Sequence, residues 1–340
     1  MLIKPNIIAQ NTPDQAATTH PAVVDALCRI FKAARCTITI GESSAFYQQG
    51  GTLKGMETSG MKAVAEKHGA RLLPFEKASV RKIESGKVLK PFWITEALFE
   101  HDLVVDVPKL KVHQLARYTG GIKNMYGCIP GGTKQTYHEQ FQNREDYKEF
   151  WGGPIVDVYE TAHPGLTVLD AVYGLDEDGP AATGKPRLTG VLLASVNGAA
   201  VDVAACRMIG FDPRWVPAVR VALERGLADE KDLNVIGKLP DVPYVKLPDK
   251  PPSKVSDYFF HQVIMKPVVV RSRCTKECSA CVDLCGPKAI SLDAEKIPVI
   301  DYKKCIRCYC CAEQCPDGAI RLHGGFFNHT IQFLRRVKKI

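Results

Sequence analysis

The sequence predicts an α/β protein, a mostly parallel sheet with helices on both faces, with a small cysteine-rich α+β domain toward its C-terminal end. Three observations carry that prediction. Over residues 1–75, short apolar runs rich in β-branched residues alternate with segments of helical periodicity, the order expected where crossover helices join parallel strands. Further along, three apolar runs are near-continuous rather than alternating, as strands buried on both faces require. Nine of the thirteen cysteines fall within residues 274–315, eight of them in two repeated runs.

Leu2-Ile3-Lys4-Pro5-Asn6-Ile7-Ile8 reads as the first strand. Pro21 opens a helix in which Val23, Val24, Leu27, Ile30, Phe31 and Ala34 recur at helical spacing, and residues 37–40 form the next strand. A second helix over about residues 57–68 stops at Gly69, ahead of a strand at 71–75. The near-continuous runs are residues 102–107, 166–170 and 190–194. One α/β domain, residues 1–247, accounts for all of them. Five prolines within 239–253 mark a linker, set at 248–267; the second domain then spans 268–322 and a tail 323–340.

The cysteine runs are Cys274-x3-Cys278-x2-Cys281-x3-Cys285 and Cys305-x2-Cys308-x2-Cys311-x3-Cys315-Pro316. Three closely spaced cysteines can face three corners of one iron-sulfur cubane, while the fourth is carried toward the other cluster. That assigns Cys274, Cys278, Cys281 and Cys315 to one [4Fe-4S] cluster and Cys305, Cys308, Cys311 and Cys285 to a second. The runs repeat each other at an offset of thirty residues, Cys285-Gly-Pro-Lys-Ala-Ile290 matching Cys315-Pro-Asp-Gly-Ala-Ile320. Zinc would leave the third cysteine of each run unemployed. Disulfides would need a secreted chain, and MLIKPNIIAQ has no signal-peptide architecture, so a cytoplasmic setting is expected. The region resembles bacterial two-cluster ferredoxins. It departs from them in the three residues between Cys274 and Cys278 and in Gly286, which stands before the usual proline; Cys310 is a surplus thiol, read as a small buried residue.

The formal charge is +8, and residues 268–340 hold thirteen Lys/Arg against seven Asp/Glu. A basic iron-sulfur domain points to an acidic redox partner or to electron transfer within the chain. In the tail, Phe327, Ile331, Leu334 and Lys338 follow one helical stripe with Arg335, Arg336 and Lys339 beside it. Docking of that helix on its own protein is favoured over peripheral membrane contact, and no stacking-aromatic pattern points to nucleic acid.

Ligands of open α/β sheets bind beyond the C-terminal ends of the strands. The segments there are Lys4-Pro5-Asn6, Gly41-Glu42-Ser43-Ser44, the stretch from Pro108 through Lys109, Lys111 and His113 to Gly120-Gly121-Ile122-Lys123-Asn124, and Asp170-Ala171-Val172. Lys109, Lys111, His113 and Lys123, read as a loop after a buried strand, suit an anion such as a carboxylate or phosphate. His113 and Lys123 are the expected proton donors or acceptors, with Glu42 and Asp170 as carboxylate partners. Cys128, in a Gly/Pro-rich turn, is a candidate for redox or nucleophilic chemistry, whereas Cys28, Cys36 and Cys206 read as buried small residues and His20 as part of a helix entry. No Walker loop or G-x-G-x-x-G is complete, so neither nucleotide hydrolysis nor dinucleotide binding is expected.

Several of these blocks carry a resemblance. Ile3-Lys4-Pro5-Asn6, Thr18-Thr19-His20-Pro21, Gly41-Glu42-Ser43, the stretch 107–113, Gly121-Ile122-Lys123-Asn124-Met125-Tyr126-Gly127 and Phe211-Asp212-Pro213 resemble signature blocks of domain-of-unknown-function family 362, over nearly all of residues 1–237. The resemblance implies fusion to a two-cluster ferredoxin, an anaerobic bacterial or archaeal setting and a redox context, without naming a reaction. The reading that follows is an iron-sulfur oxidoreductase: two [4Fe-4S] clusters relay electrons to or from a small anionic ligand held by Lys4, Asn6, Glu42, Lys111, Asn124 and Asp170, with Lys109, His113, Lys123 and Cys128 as reacting groups. The alternatives are a non-catalytic carrier or docking subunit for a larger oxidoreductase, and a metalloenzyme assembly factor.

Overall fold

The computed structural model describes residues 1–44, 50–113, 115–141, 144, 146–177, 184–246, 266–275, 278–283, 285–313 and 315–323. The predicted tail, apart from His323, and most of the predicted linker lie outside these residues. In chain order the α/β domain comprises β1 (Leu2–Pro5), α1 (Pro21–Ala33), β2 (Thr39–Glu42), α2 (Gly51–Thr58), α3 (Met61–His68), β3 (Arg71–Pro74), β4 (Val80–Ile83), β5 (Phe92–Thr95), β6 (Val104–Val107), β7 (Lys109–His113) and β8 (Arg117–Thr119). It continues with α4 (Gly121–Asn124), α5 (Thr133–Phe141), α6 (Tyr147–Phe150), α7 (Gly152–Ala162), β9 (Leu166–Asp176), β10 (Lys185–Ser195), α8 (Gly198–Met208) and α9 (Pro217–Glu224). The small domain has β11 (Lys266–Val269), α10 (Ala280–Asp283), β12 (Ile290–Leu292), β13 (Pro298–Ile300), α11 (Cys310–Glu313) and β14 (Ile320–His323).

The main sheet runs β3-β2-β1-β6-β9-β7-β8, with β10 also on β9. Pairings among β3, β2, β1, β6 and β9 are parallel, as is β7 with β9, while β8 and β10 join antiparallel. Successive side chains leave opposite faces of a strand. Leu2, Val104 and Leu169 accordingly pack under α4, α7, α8 and α9, and Ile3, Val105 and Val168 under α1, α2 and α3. The mostly parallel, two-face architecture matches the sequence expectation.

Four details differ. Residues 57–68 are not one helix, because Gly60 at φ 80° ends α2 and starts α3; this left-handed conformation suits glycine. The supposed loop after residue 107 is the strand β7, which continues β6 past Pro108, whose carbonyl accepts the Asp170 N–H at 2.9 Å. The run 190–194 is not buried on both faces: β10 is antiparallel, with Leu188 61% and Leu192 50% exposed. The prolines from 239 begin no free linker, since Val242 and Tyr244 donate their N–H groups to Met208 and Ile209 at 2.8 and 2.9 Å and Tyr244 is buried.

The crossing of α7 and α9 depends on close backbone approach. A Cβ at Gly152 would stand 2.3 Å from the Pro217 carbonyl oxygen, an atom that cannot rotate away. Gly152→Ala is therefore expected to lower stability by about 1–3 kcal/mol, read as a shift of the denaturant midpoint without a change in slope.

Candidate functional site

Strands buried on both faces should be apolar, yet β1 carries Lys4, β6 Asp106, β7 Lys109 and Lys111, and β9 Asp170, all essentially inaccessible. The register sets Lys4 beside Asp106 and Lys109 beside Asp170. An ammonium taken out of water costs several kcal/mol unless it is paired, and each of these lysines is held. Lys4 Nζ lies 2.6 Å from Glu42 Oε2, and Lys109 Nζ 2.8 Å from Asp170 Oδ2, which also accepts the His20 N–H at 2.8 Å. Lys111 donates to Asn6 Oδ1 at 2.6 Å and to the Ala17 carbonyl at 3.0 Å. Asn6 Nδ2 donates to Asn124 Oδ1 at 3.0 Å, and Asn124 Nδ2 to Asp106 Oδ1 at 2.6 Å. Lys4–Glu42, Lys109–Asp170 and the chain Lys111–Asn6–Asn124–Asp106 thus bring polar groups of five strands, β1, β2, β6, β7 and β9, together with α4.

Within it, burial pushes the Asp106 carboxyl well above the usual carboxylate range, the Lys4 charge opposing, and its Oδ2 has no hydrogen-bond partner among the described residues. Asp202 orients α4 by accepting the N–H groups of Gly121 and Ile122 at 2.7 and 2.9 Å and the Tyr118 hydroxyl at 3.0 Å. Burial lifts its carboxyl to about 6, opposed by those N–H groups.

Three lysines face neutral oxygens or an aromatic ring. Burial, with Lys123 and Lys109 adding repulsion, pushes Lys111 down to about 7. Burial and Lys134 push Lys123 to about 8; its Nζ lies 6.0 Å from the Tyr126 ring centroid. Lys134, pushed to about 8 by burial, donates to Ser43 O, to Ser43 Oγ at 3.1 Å and to Ser44 O at 3.3 Å. Ser43 in turn donates to Glu76, which also accepts from Thr52 at 3.1 Å. Lys123 and Asn6 are partly exposed, so solvent reaches the network on their side. Lysines that face neutral oxygens at the ends of strands suit a carboxylate or phosphate.

The small domain sits directly against this network. Gly132 N–H donates to Arg307 O at 2.9 Å, and the Thr133 hydroxyl to Ile306 O at 2.7 Å. A Cβ on Gly131 would lie 2.3 Å from Cys308 O, and one on Gly132 2.3 Å from the Tyr309 hydroxyl, so only glycine admits this approach. Arg307 and Tyr309, on either side of Cys308, hold left-handed backbone at φ 57° and 66°, a strained state sustained by surrounding contacts. Gly131 N–H also donates to Ser43 Oγ at 3.1 Å. The segment Gly131-Gly132-Thr133-Lys134 therefore touches a cysteine loop with its backbone and the buried network with its next side chain.

Of the residues expected from sequence, Lys4, Asn6, Glu42, Lys109, Lys111, Asn124 and Asp170 come together, with Lys123 at their edge. His113 does not join them: its Nδ1 accepts the N–H groups of Leu115 and Ala116 at 3.0 and 3.2 Å, committing it to the β7–β8 turn. Cys128 is fully buried in the core, where burial pushes its thiol far up. Cys36 is only half-buried, unlike Cys28 and Cys206, and Cys310 is buried. His20 caps α1, its Nδ1 accepting the Ala22 N–H at 3.2 Å. Asp106, Asp202, Ser43, Glu76 and Lys134 were missed. For Asp106 there was a signal, a carboxylate inside an otherwise apolar strand.

Residues 1–207 match the family described as Domain of unknown function (DUF362). The chain belongs to that family. Residues 298–321 of this DUF362 chain match a 4Fe-4S binding domain, a span holding Cys305, Cys308, Cys311 and Cys315. A thylakoid-associated protein of Synechocystis sp. is 28% identical over 228 residues, 67% of this chain and 68% of that protein. The lactate racemase apoprotein from Thermoanaerobacterium thermosaccharolyticum aligns with a TM-score of 0.43 at 15% identity, over 61% of this chain and 48%, about half, of that one. No helix among the described residues is long and apolar enough to cross a membrane.

The depressed Lys111 has a measurable sign. A lysine whose folded pKa is lowered to about 7 binds fewer protons than the unfolded chain between there and the ordinary lysine value of 10.5, so its burial costs least at high pH. Relative to Lys111→Met, the native protein should gain stability as pH rises from 7 to 10, measured by denaturant midpoints. A pH-independent difference would contradict the assignment.

Proposed function

We propose that this iron-sulfur protein binds two [4Fe-4S] clusters and exchanges electrons between them and a small anionic ligand held at the lysine-rich end of its sheet. The observation that carries the reading is the Gly131–Lys134 segment, which ties the Cys305–Cys308 loop to the Ser43, Glu42 and Lys4 cluster through consecutive residues.

The thiols fit the two proposed groups. Burial raises Cys281, with Cys315, Cys278 and Cys274 adding to it, and raises Cys311, with Cys308, Cys305, Cys285 and Cys281 adding to it. Each crossing cysteine also accepts an equivalent backbone N–H, Cys285 from Ala289 at 3.1 Å and Cys315 from Ala319 at 3.3 Å. The Thr275 N–H and hydroxyl bond Asp317 at 3.0 and 2.9 Å, joining the Cys274 loop to the Cys315 turn. Bound there, the clusters supply one-electron chemistry.

The chain's own residues do the rest. Lys111 and Lys123 attract the anion, and Asn6 and Asn124 orient it, Asn124 being held by its hydrogen bond to Asp106. Lys4–Glu42 and Lys109–Asp170 are internally neutralised and serve to fix that geometry. A non-catalytic carrier would need an exposed cluster, and Cys278 is exposed, but it would have no use for buried lysines facing neutral oxygens.

The test is an anion inventory. Protein purified without oxygen should release a near-stoichiometric organic or phosphate anion on denaturation, identified by mass spectrometry. Lys111→Met and Lys123→Met should each cut its occupancy by about tenfold, the loss of roughly 1.4 kcal/mol, with iron and sulfide unchanged. Undiminished occupancy in both variants would contradict the site.

A further inference from the structure

The two cysteine sets differ in surroundings more than their sequence repeat suggests. Around the second set, contacts with the α/β domain fall on both sides of its ligands: Gly131 and Gly132 against the Arg307–Tyr309 backbone, and Gly286, beside Cys285, against Val80 and Trp93. Cys310 and Cys311 stand in α11, which packs on the turn Phe75–Lys77. The first set is turned the other way. Cys278 is exposed where its counterpart Cys308 is half-buried, whereas Cys281 and Cys311 are both buried and the other four thiols half-buried; among the described residues the hydrogen bonds of 274–283 stay within the small domain. Arg273 and Ser279, next to these thiols, are exposed as well.

We infer that the chain is electrically polarised: Cys274, Cys278, Cys281 and Cys315 form the outer port, at which a one-electron carrier protein docks, and Cys285, Cys305, Cys308 and Cys311 form the inner station facing the lysine-rich site. The inference rests on the two-cluster reading and adds direction to it. In the reducing sense, the carrier loses one electron and the iron held by the outer thiolates gains it; the same electron then moves inward, with no atom transferred. Nicotinamides deliver hydride, a two-electron equivalent, and so do not fit a port of this kind. Gly131 and Gly132 are positioning residues, because a side chain at either would push the Cys308 loop off the network.

The experiment uses the full-length reduced protein and electron paramagnetic resonance. Each cluster's signal is assigned by the spectrum that Cys278→Ser or Cys308→Ser alters or removes, so loss of a cluster in a variant still makes the assignment. A water-soluble dysprosium complex is then added to the native protein, and an electron-carrier flavoprotein after it. The signal assigned by Cys278→Ser should shift to higher saturating microwave power with dysprosium, and that shift should shrink when the flavoprotein is added; the signal assigned by Cys308→Ser should move little. Gly132→Val should expose the Cys308 signal to dysprosium. Equal enhancement of both signals, stronger enhancement of the Cys308 signal, or a shift that the flavoprotein leaves untouched would overturn the polarity or the port. About four irons per chain rather than about eight would overturn the two-cluster reading itself, and this inference with it. An absent anion at the lysines would leave the accessibility result standing, so the two readings fail separately.

Discussion

A lysine ammonium removed from water must find its counter-charge inside the fold, and Lys4 finds Glu42 at 2.6 Å with both side chains almost wholly buried. Much of the site follows from that pair. The pair spans neighbouring parallel strands, so β1 and β2 must end level with each other. Gly127 must lack a side chain, since a Cβ there would lie 2.4 Å from Glu42 Oε1 and 2.7 Å from Lys4 Nζ. The Ser43 N–H, bonded to Glu42 Oε1 at 2.8 Å, is fixed where its hydroxyl meets Gly131 and Glu76. Breaking such a buried pair from one side leaves an uncompensated charge, a loss of about 3–5 kcal/mol, so the pair constrains the site's shape more than it contributes to affinity.

What distinguishes the remaining lysines is the absence of that neutralisation. Lys111 and Lys134 meet carbonyl, amide and hydroxyl oxygens, and their pKa values fall to about 7 and about 8 in consequence of burial. An interior that holds ammonium groups in this way is destabilised by their desolvation, and the cost falls in strands that a large two-faced core holds rigid.

Much of this was legible in the sequence, for local reasons. The cysteine runs lie close together in the chain, and their thirty-residue repeat reappears in α10 and α11, residues 280–283 and 310–313. The parallel sheet followed from apolar runs of the right length. Lys109 and Lys111 were read as part of a loop; yet they alternate with Leu110 and Val112, the period of a strand, and that period was the better guide. Ser43, Glu76, Lys134 and Cys308 meet only through tertiary contacts, far apart in the chain, and no local pattern shows that they meet. The edge strand β10 was misjudged for the opposite reason, its leucines pointing outward where apolar residues suggested burial.

The account turns on where iron sits relative to the lysine network. Crystals of protein purified without oxygen, measured at the iron absorption edge, would locate it by anomalous difference density. Two peaks are predicted, one enclosed by Cys285, Cys305, Cys308 and Cys311 against Gly131 and Gly132, the other by Cys274, Cys278, Cys281 and Cys315 at the surface. A single peak, or iron ligated by a different set of residues, would contradict it.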